Sequence, residues 1–373
     1  MERTKNHFYK AKKNIGIVSL VIFVMTITSC FSGLLGKGRL RERLENRKQT
    51  AQNETTGNPK FACDKFIANI TNSYGSEGPY SMNVLTLDNP LWKGKQISIF
   101  FPNGASGKRP VIFFSHAFGA SNWKRAYTPL LQHITSNGYI TVYSPYQTIK
   151  SNFDERYATL WKGFELAVQK FGNRMDLTRV GFVGHSFGGG ATPAMAYKGL
   201  VDMKWGKKGA FMYICAPWYS FQITPEKLRK FPGHVVLMMQ VYDQDDTNDH
   251  RMAIDIYNDF RLPDSQKYFQ VVRSESINGC EIVADHITPG KNPSLRLKQY
   301  AVFRPFDAVI DYVFNFNPMG RQTISNQQML SVKNNAYHPL FIEKNPKPMF
   351  PETKYKFPWN NKNNQRRLLK TWK

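Results

Sequence analysis

The chain is short of acid and short of cysteine. Asp and Glu number 27 of 373 residues against 51 Lys and Arg, a formal net charge of +24. Four Cys in a chain of this length exclude a disulfide-stapled scaffold. C-x-x-C, H-E-x-x-H and G-x-x-x-x-G-K-[ST] are all missing, which removes zinc-ribbon, metalloprotease and P-loop readings. No internal repeat is present, so solenoids and propellers are excluded as well. What the chain does have is 41% hydrophobic and 14% aromatic residues with only 21% charged, enough for a large interior and too apolar for wholesale disorder or a coiled coil.

The excess positive charge sits at the two ends. Residues 1–60 carry twelve Lys/Arg against four Glu, and residues 321–373 carry eleven against two. Basic ends read first as solvated segments and next as contacts for an anionic membrane surface. Nucleic acid is not expected as a partner, because no recognition helix, zinc module or RNP-type strand accompanies the charge.

The first thirty residues read as an address. A basic stretch with Arg3, Lys5, Lys10, Lys12 and Lys13 precedes an apolar run from Ile15 to Ile27. That run has 13 residues, fewer than the roughly 20 that a bilayer core needs, and it matches a signal-peptide core. It ends in Ile27-Thr28-Ser29-Cys30, which resembles a bacterial lipobox, with Cys30 as the expected lipidation site: its thiol would receive a diacylglyceryl group, and cleavage would leave it as the acylated, palmitate-bearing first residue. The alternatives are an ordinary secretory signal and an uncleaved anchor. Four segments are expected: a signal peptide at 1–29, a basic tether at 30–60, a folded domain at 61–320 and a basic extension at 321–373. The location expected is the bacterial cell envelope, as a membrane-anchored lipoprotein.

In the middle, apolar runs alternate with helix-compatible stretches. Gln96–Phe101, Val111–Phe114, Tyr139–Tyr143, Arg179–Val183, Ala210–Cys215, Val235–Val241 and Tyr268–Val272 read as strands. Trp123–Ser136, Phe153–Phe171, Gly189–Lys198 and Arg251–Phe260 read as helices. Several strands are apolar at every position, as expected when both faces are covered. The alternation predicts an α/β fold with a mostly parallel twisted sheet and helices on both faces.

One strand runs straight into Gly184-His185-Ser186-Phe187-Gly188-Gly189-Gly190. G-x-S-x-G between a strand and a helix is a nucleophile turn: the small residues let the backbone fold tightly and lift the serine hydroxyl out of the sheet. Ser186 is therefore the candidate nucleophile. Such folds supply the acid and then the base further along the chain. The segment Tyr242-Asp243-Gln244-Asp245-Asp246-Thr247 follows a strand and offers several acids. Asp245 is favoured, with Asp243 and Asp246 open. The same segment lacks the glycine and distal glutamate of a calcium loop, so no metal is expected there. His286, in the loop after the last strands, is the candidate base. Attack on a carbonyl needs two N–H donors for the oxyanion. Phe187, after the serine, and Phe118, in the loop Ser115-His116-Ala117-Phe118-Gly119, are the candidates.

Together these motifs resemble the α/β-hydrolase superfamily over about residues 78–290. Within it the likeness is to the cutinase-like and polyester-hydrolase group, with dienelactone-hydrolase and platelet-activating-factor-acetylhydrolase relatives. The stretches that carry it are Gly78–Met82, Ile99–Pro102, Pro110–Ser121, Gly184–Thr192 and Ala216–Tyr219. The resemblance implies a serine carboxylesterase that acts on an ester substrate with no cofactor, and it makes Trp218 a substrate-contact candidate. Three departures stand out: Ala117 replaces the usual oxyanion-loop glycine, the acid loop is long, and the extension 321–373 has no counterpart. Cys215 and Cys280, expected on loops at one edge of the sheet, are the candidate disulfide pair in an exported protein. The competing readings are a non-catalytic binding lipoprotein on the same fold, and a serine peptidase or acyltransferase with the same triad.

Overall fold

The computed structural model describes residues 63–330 and 337–355, all within the compact unit Lys60–Lys373. The expected signal peptide, Cys30 and the tether lie outside the described residues. Among the described residues, no helix is long and apolar enough to cross a membrane.

A nine-stranded sheet organises the molecule. Its strands are β1 (Ser81–Asp88), β2 (Gln96–Asn103), β3 (Arg109–Ser115), β4 (Ile140–Tyr143), β5 (Met175–His185), β6 (Gly209–Cys215), β7 (Val236–Tyr242), β8 (Lys267–Val272) and β11 (Leu340–Ile342). The order is β1-β2-β4-β3-β5-β6-β7-β8-β11. The stretch from β4 to β8 is parallel, whereas β1, β2 and β11 join antiparallel at the edges. A separate hairpin pairs β9 (Glu275–Ile277) with β10 (Cys280–Ile282).

The all-apolar strands have the physical consequence expected of them. Along β6, Ala210, Met212 and Ile214 point into one core, and Phe211, Tyr213 and Cys215 into the other. Helices Phe153–Phe171, Phe187–Ala196 and Arg251–Asp259 cover the first face, and helices Thr128–Ser136 and Arg304–Asn315 the second. The helix Phe153–Phe171 starts at a reciprocal cap: the Asn152 side chain accepts from the Glu155 N–H, and the Glu155 carboxylate accepts from the Asn152 N–H. The expected α/β architecture is present.

Several details differ from the sequence reading. The helix expected over 123–136 is interrupted at Tyr127, one residue before the Thr128-Pro129 start of its second part. Strand β1 and the hairpin β9–β10 were not foreseen. Residue 320 falls inside the helix Pro318–Ser325, and the chain returns to the sheet as β11 against β8. The described part of the extension is thus built into the fold.

The expected Cys215–Cys280 disulfide is corrected. Cys280 bonds Cys63, 217 residues earlier, and Cys215 is free. Cys215 closes strand β6 with its thiol in the core, where burial pushes it up to about 12, so it is not on a loop within reach of Cys280. Next to the bridge, the Asp64 carboxylate accepts from Ser294 Oγ and from the N–H groups of Leu295 and Arg296, capping a short helix. The N-terminal part of the described chain is therefore bound to the segments either side of His286.

A buried ion pair ties the Thr128–Ser136 helix to Arg304–Asn315. His133 Nε2 lies 2.9 Å from Asp307 Oδ1, and Nδ1 is 3.7 Å from Glu77 Oε1. Burial pulls this imidazole down, but the two carboxylates outweigh it and push it up to about 9. A histidine held charged more firmly when folded stabilises the fold fully below about 6.5, its ordinary value, and loses that contribution as pH rises through about 9. Thermal midpoints are expected to fall over that window, with a shallower fall in Asp307→Asn. Equal slopes in the two proteins would contradict this.

Candidate active site

Ser186 occupies the turn between β5 and the helix Phe187–Ala196 with φ 59 and ψ −122. Such a conformation costs a non-glycine residue on the order of 1–3 kcal/mol and persists only where the surroundings enforce it. Three hydrogen bonds do so. Ser186 N–H donates to Cys215 O at 3.0 Å, and Ser186 O accepts from Gly190 N–H at 3.0 Å and Trp218 N–H at 2.7 Å. Two glycines allow the approach. A Cβ at Gly184 would lie 2.4 Å from Gly188 O, and one at Gly188 would lie 2.0 Å from Ser115 O. The nucleophile turn is thus pressed against the end of β3, where the second oxyanion candidate begins.

The downstream loops deliver the partners. His286 Nε2 is 2.9 Å from Ser186 Oγ, and His286 Nδ1 is 2.8 Å from Asp245 Oδ2. The other Asp245 oxygen accepts the N–H groups of Thr247 at 2.9 Å and Asn248 at 3.0 Å, which fixes the carboxylate. The rival acids are engaged differently. Asp243 accepts from Ser274 N–H and Oγ, and Asp246 is exposed, with Thr247 Oγ1 at 3.4 Å. Ser186 is 6% exposed.

Phe187 opens its helix, so its N–H has no acceptor within that helix. Phe118 sits in a turn closed by Ala120 N–H donating to Ala117 O, with Gly119 at φ 77. Among the described residues neither N–H donates to a protein acceptor. Ala117, which stands where the likeness leads one to expect glycine, does not have a positive φ, so its methyl group brings no backbone strain. The loop is rigid: Tyr146 OH donates to His116 O at 2.8 Å, Tyr143 OH donates to Ala120 O, and the His116 ring stacks on Tyr146. Burial holds His116 down to about 4, so it is neutral at ordinary pH. Trp218 is half-buried on the opposite side of the turn, joined to it by its own N–H. The structure thus brings Ser186, Asp245 and His286 together, with Phe118, Phe187 and Trp218 around them.

Two groups beneath the site escaped the sequence reading. His185 is buried, and its Nε2 lies 2.7 Å from the His286 carbonyl oxygen. Burial holds the His185 ring well below its ordinary value, with the neighbouring His286 acting the same way, so it is neutral. Its Nε2–H must donate to that carbonyl, which leaves Nδ1 to accept from Tyr127 OH at 2.7 Å. The Tyr127 hydroxyl oxygen in turn accepts the Ala117 N–H at 3.0 Å. The chain Ala117–Tyr127–His185–His286 links the oxyanion loop to the base through one tautomer. Asn248, the other omission, donates from Nδ2 to Ala216 O at 2.7 Å and ties the acid loop to the loop after β6. No periodicity marks these residues; only their contacts do. Tyr127→Phe leaves a buried ring nitrogen and a backbone N–H without partners, and about 1–3 kcal/mol of stability should go with them in a denaturant titration. An unchanged unfolding midpoint would refute the linkage.

Residues 70–206 match the family model described as Chlorophyllase. The match covers well under half of the chain, and it includes Ser186, Phe118 and Phe187 but stops before Asp245 and His286. Among curated proteins none matches the chain. That family is of α/β-hydrolase type, and its matched span ends soon after the strand–serine–helix turn at the centre of a mostly parallel nine-stranded sheet. On these grounds the chain has an α/β-hydrolase-type fold and is similar, over residues 70–206, to the Chlorophyllase family.

Proposed function

We propose that the protein is a serine carboxylic-ester hydrolase working through an acyl-enzyme. The observation that carries this reading is a single imidazole, His286, within hydrogen-bond distance of both Ser186 Oγ and the Asp245 carboxylate. The likeness to the Chlorophyllase model supports an ester as the bond cleaved.

In this mechanism Ser186 Oγ attacks the ester carbonyl carbon while His286 Nε2 takes its proton. Asp245 holds Nδ1–H and stabilises the imidazolium that forms. Negative charge collects on the carbonyl oxygen, facing the Phe118 and Phe187 N–H groups, each worth roughly 3–4 kcal/mol in the transition state. Collapse breaks the carbon–oxygen bond, and His286 returns the proton to the departing alcohol. A water molecule, deprotonated by the same imidazole, then attacks the acyl-enzyme, releases the acid and restores Ser186. The strain at Ser186 serves this chemistry by presenting the hydroxyl to the base before substrate arrives. The half-buried Trp218 would form one wall for the acyl group.

The proposal extends to location. The basic start, the apolar run Ile15 to Ile27 and Ile27-Thr28-Ser29-Cys30 support export and acylation at Cys30, with the basic tether 30–60 beside an anionic membrane surface.

Two outcomes are expected. Ser186→Ala should lower kcat/KM on short-chain 4-nitrophenyl esters by at least about 10⁴-fold, because the triad acts as a unit; turnover within tenfold of wild type would remove Ser186 from the mechanism. In a bacterial host, the full chain should fractionate with membranes and Cys30→Ser should not. A Cys30→Ser protein still held in the membrane fraction would rule out the lipid anchor.

A further inference from the structure

A cation lies beside the proposed oxyanion site that the mechanism above does not use. Arg156, on the helix Phe153–Phe171, places its guanidinium 5.2 Å from the Phe118 ring, 5.3 Å from the Phe187 ring and 5.6 Å from the Phe153 ring. Phe118 and Phe187 are the two residues whose N–H groups face the developing oxyanion. Arg156 therefore packs against the side chains of both of these residues.

Part of the guanidinium has a structural task. Nε donates to Ser151 Oγ at 3.1 Å, and Nη2 donates to Thr148 O at 2.9 Å and Ser151 O at 2.6 Å, which fastens the loop after β4. That task leaves Nη1 over: among the described residues it has no acceptor, and Arg156 forms no ion pair. The nearby acids are committed elsewhere. Glu155 accepts from the Asn152 N–H at 2.8 Å, and Asp154 accepts from Gln222 Nε2 at 2.6 Å. Three aromatic faces attract a cation without neutralising it. Two large apolar side chains near this charge are open to solvent, with Phe118 54% exposed and Ile149, in the loop that Arg156 fastens, 70% exposed. An arginine retained half-exposed beside them offers a planar donor edge to an incoming oxygen anion.

We propose that Arg156 is the anion-recognising wall of the substrate cleft, so that the preferred ester carries a carboxylate or similar oxygen anion next to an apolar body. This deepens the ester-hydrolase reading and rests on it. The anion could belong to the acyl part or to the alcohol part of the ester, and the chemistry at Arg156 would be the same.

The test compares kcat/KM for paired esters in wild type and Arg156→Gln. One series pairs mono-4-nitrophenyl esters of dicarboxylic acids, from adipic acid upward, with their methyl-ended counterparts. A second pairs carboxyphenyl butyrates with phenyl butyrate. Dividing the anionic by the neutral value within each protein cancels general damage to the loop or the fold. The substitution hardly alters a net charge of +24, so long-range attraction also cancels. The ratio is expected to fall by about tenfold or more in at least one series, which also identifies the side of the ester that bears the anion. A smaller fall in both overturns the proposal. Arg156→Met, which keeps an unbranched side chain against the three rings, provides the same ratio if the glutamine variant does not fold. Should wild type hydrolyse neither member of a pair, or Ser186→Ala hydrolyse both, the ester-hydrolase reading fails and this inference falls with it. Should both be hydrolysed through Ser186 with an unmoved ratio, only the inference fails.

Discussion

Everything in the site depends on one strained residue being held from both sides. Ser186 sits at φ 59 because the last residue of β6 receives its N–H and the loop that follows donates to its carbonyl, while Gly188 lies against the backbone at the end of β3. These contacts pack the turn between its two neighbouring strands, β3 and β6, whose following loops carry Phe118, the proposed second oxyanion donor, and Trp218. A side chain at 188 could not be relieved by rotating a rotamer, since what it would strike is the Ser115 carbonyl. Sheet order, nucleophile geometry and oxyanion geometry are therefore one constraint. This explains why a short glycine-rich motif organises so much of the molecule.

The second layer of support is polar and buried. A neutral His185 can satisfy the His286 carbonyl and Tyr127 at once only in its Nε2–H form, so burial selects the tautomer and the tautomer fixes the base. Further out, the Cys63–Cys280 bridge precedes the loop that bears His286, and Asp64 caps the helix just after it. At the other end of the chain, Arg251 joins Asp249 of the acid loop to Glu352 and lies against the Tyr355 ring. Segments distant in sequence are thus used to hold two loops whose positions the sheet alone would not determine.

How much of this was legible follows from how local each signal is. Central strands declared themselves because a two-faced burial demands apolar residues at every position, as in Val236–Tyr242. The strand–Ser186–helix turn was legible because its glycines and its strand are contiguous. Among the acids of its loop, Asp245 is the one that reaches His286, and its carboxylate is fixed by accepting from the Thr247 and Asn248 N–H groups, contacts that sequence spacing alone does not display. What stayed hidden was long-range or weakly patterned. The three-residue strands β9, β10 and β11 are too short to show a period. The partner of Cys280 lies 217 residues away, and connectivity of that kind is not encoded in spacing. Arg156 carries no sequence signal, because two of the three rings around it, Phe118 and Phe187, come from other segments.

The pairing of Ser186 with His286 is tested most directly by treating the folded protein with a fluorophosphonate and mapping the adduct by peptide mass. A single adduct on Ser186 that disappears in His286→Ala is the expected result. An unmodified Ser186, or one labelled equally well without the imidazole, would contradict the pairing.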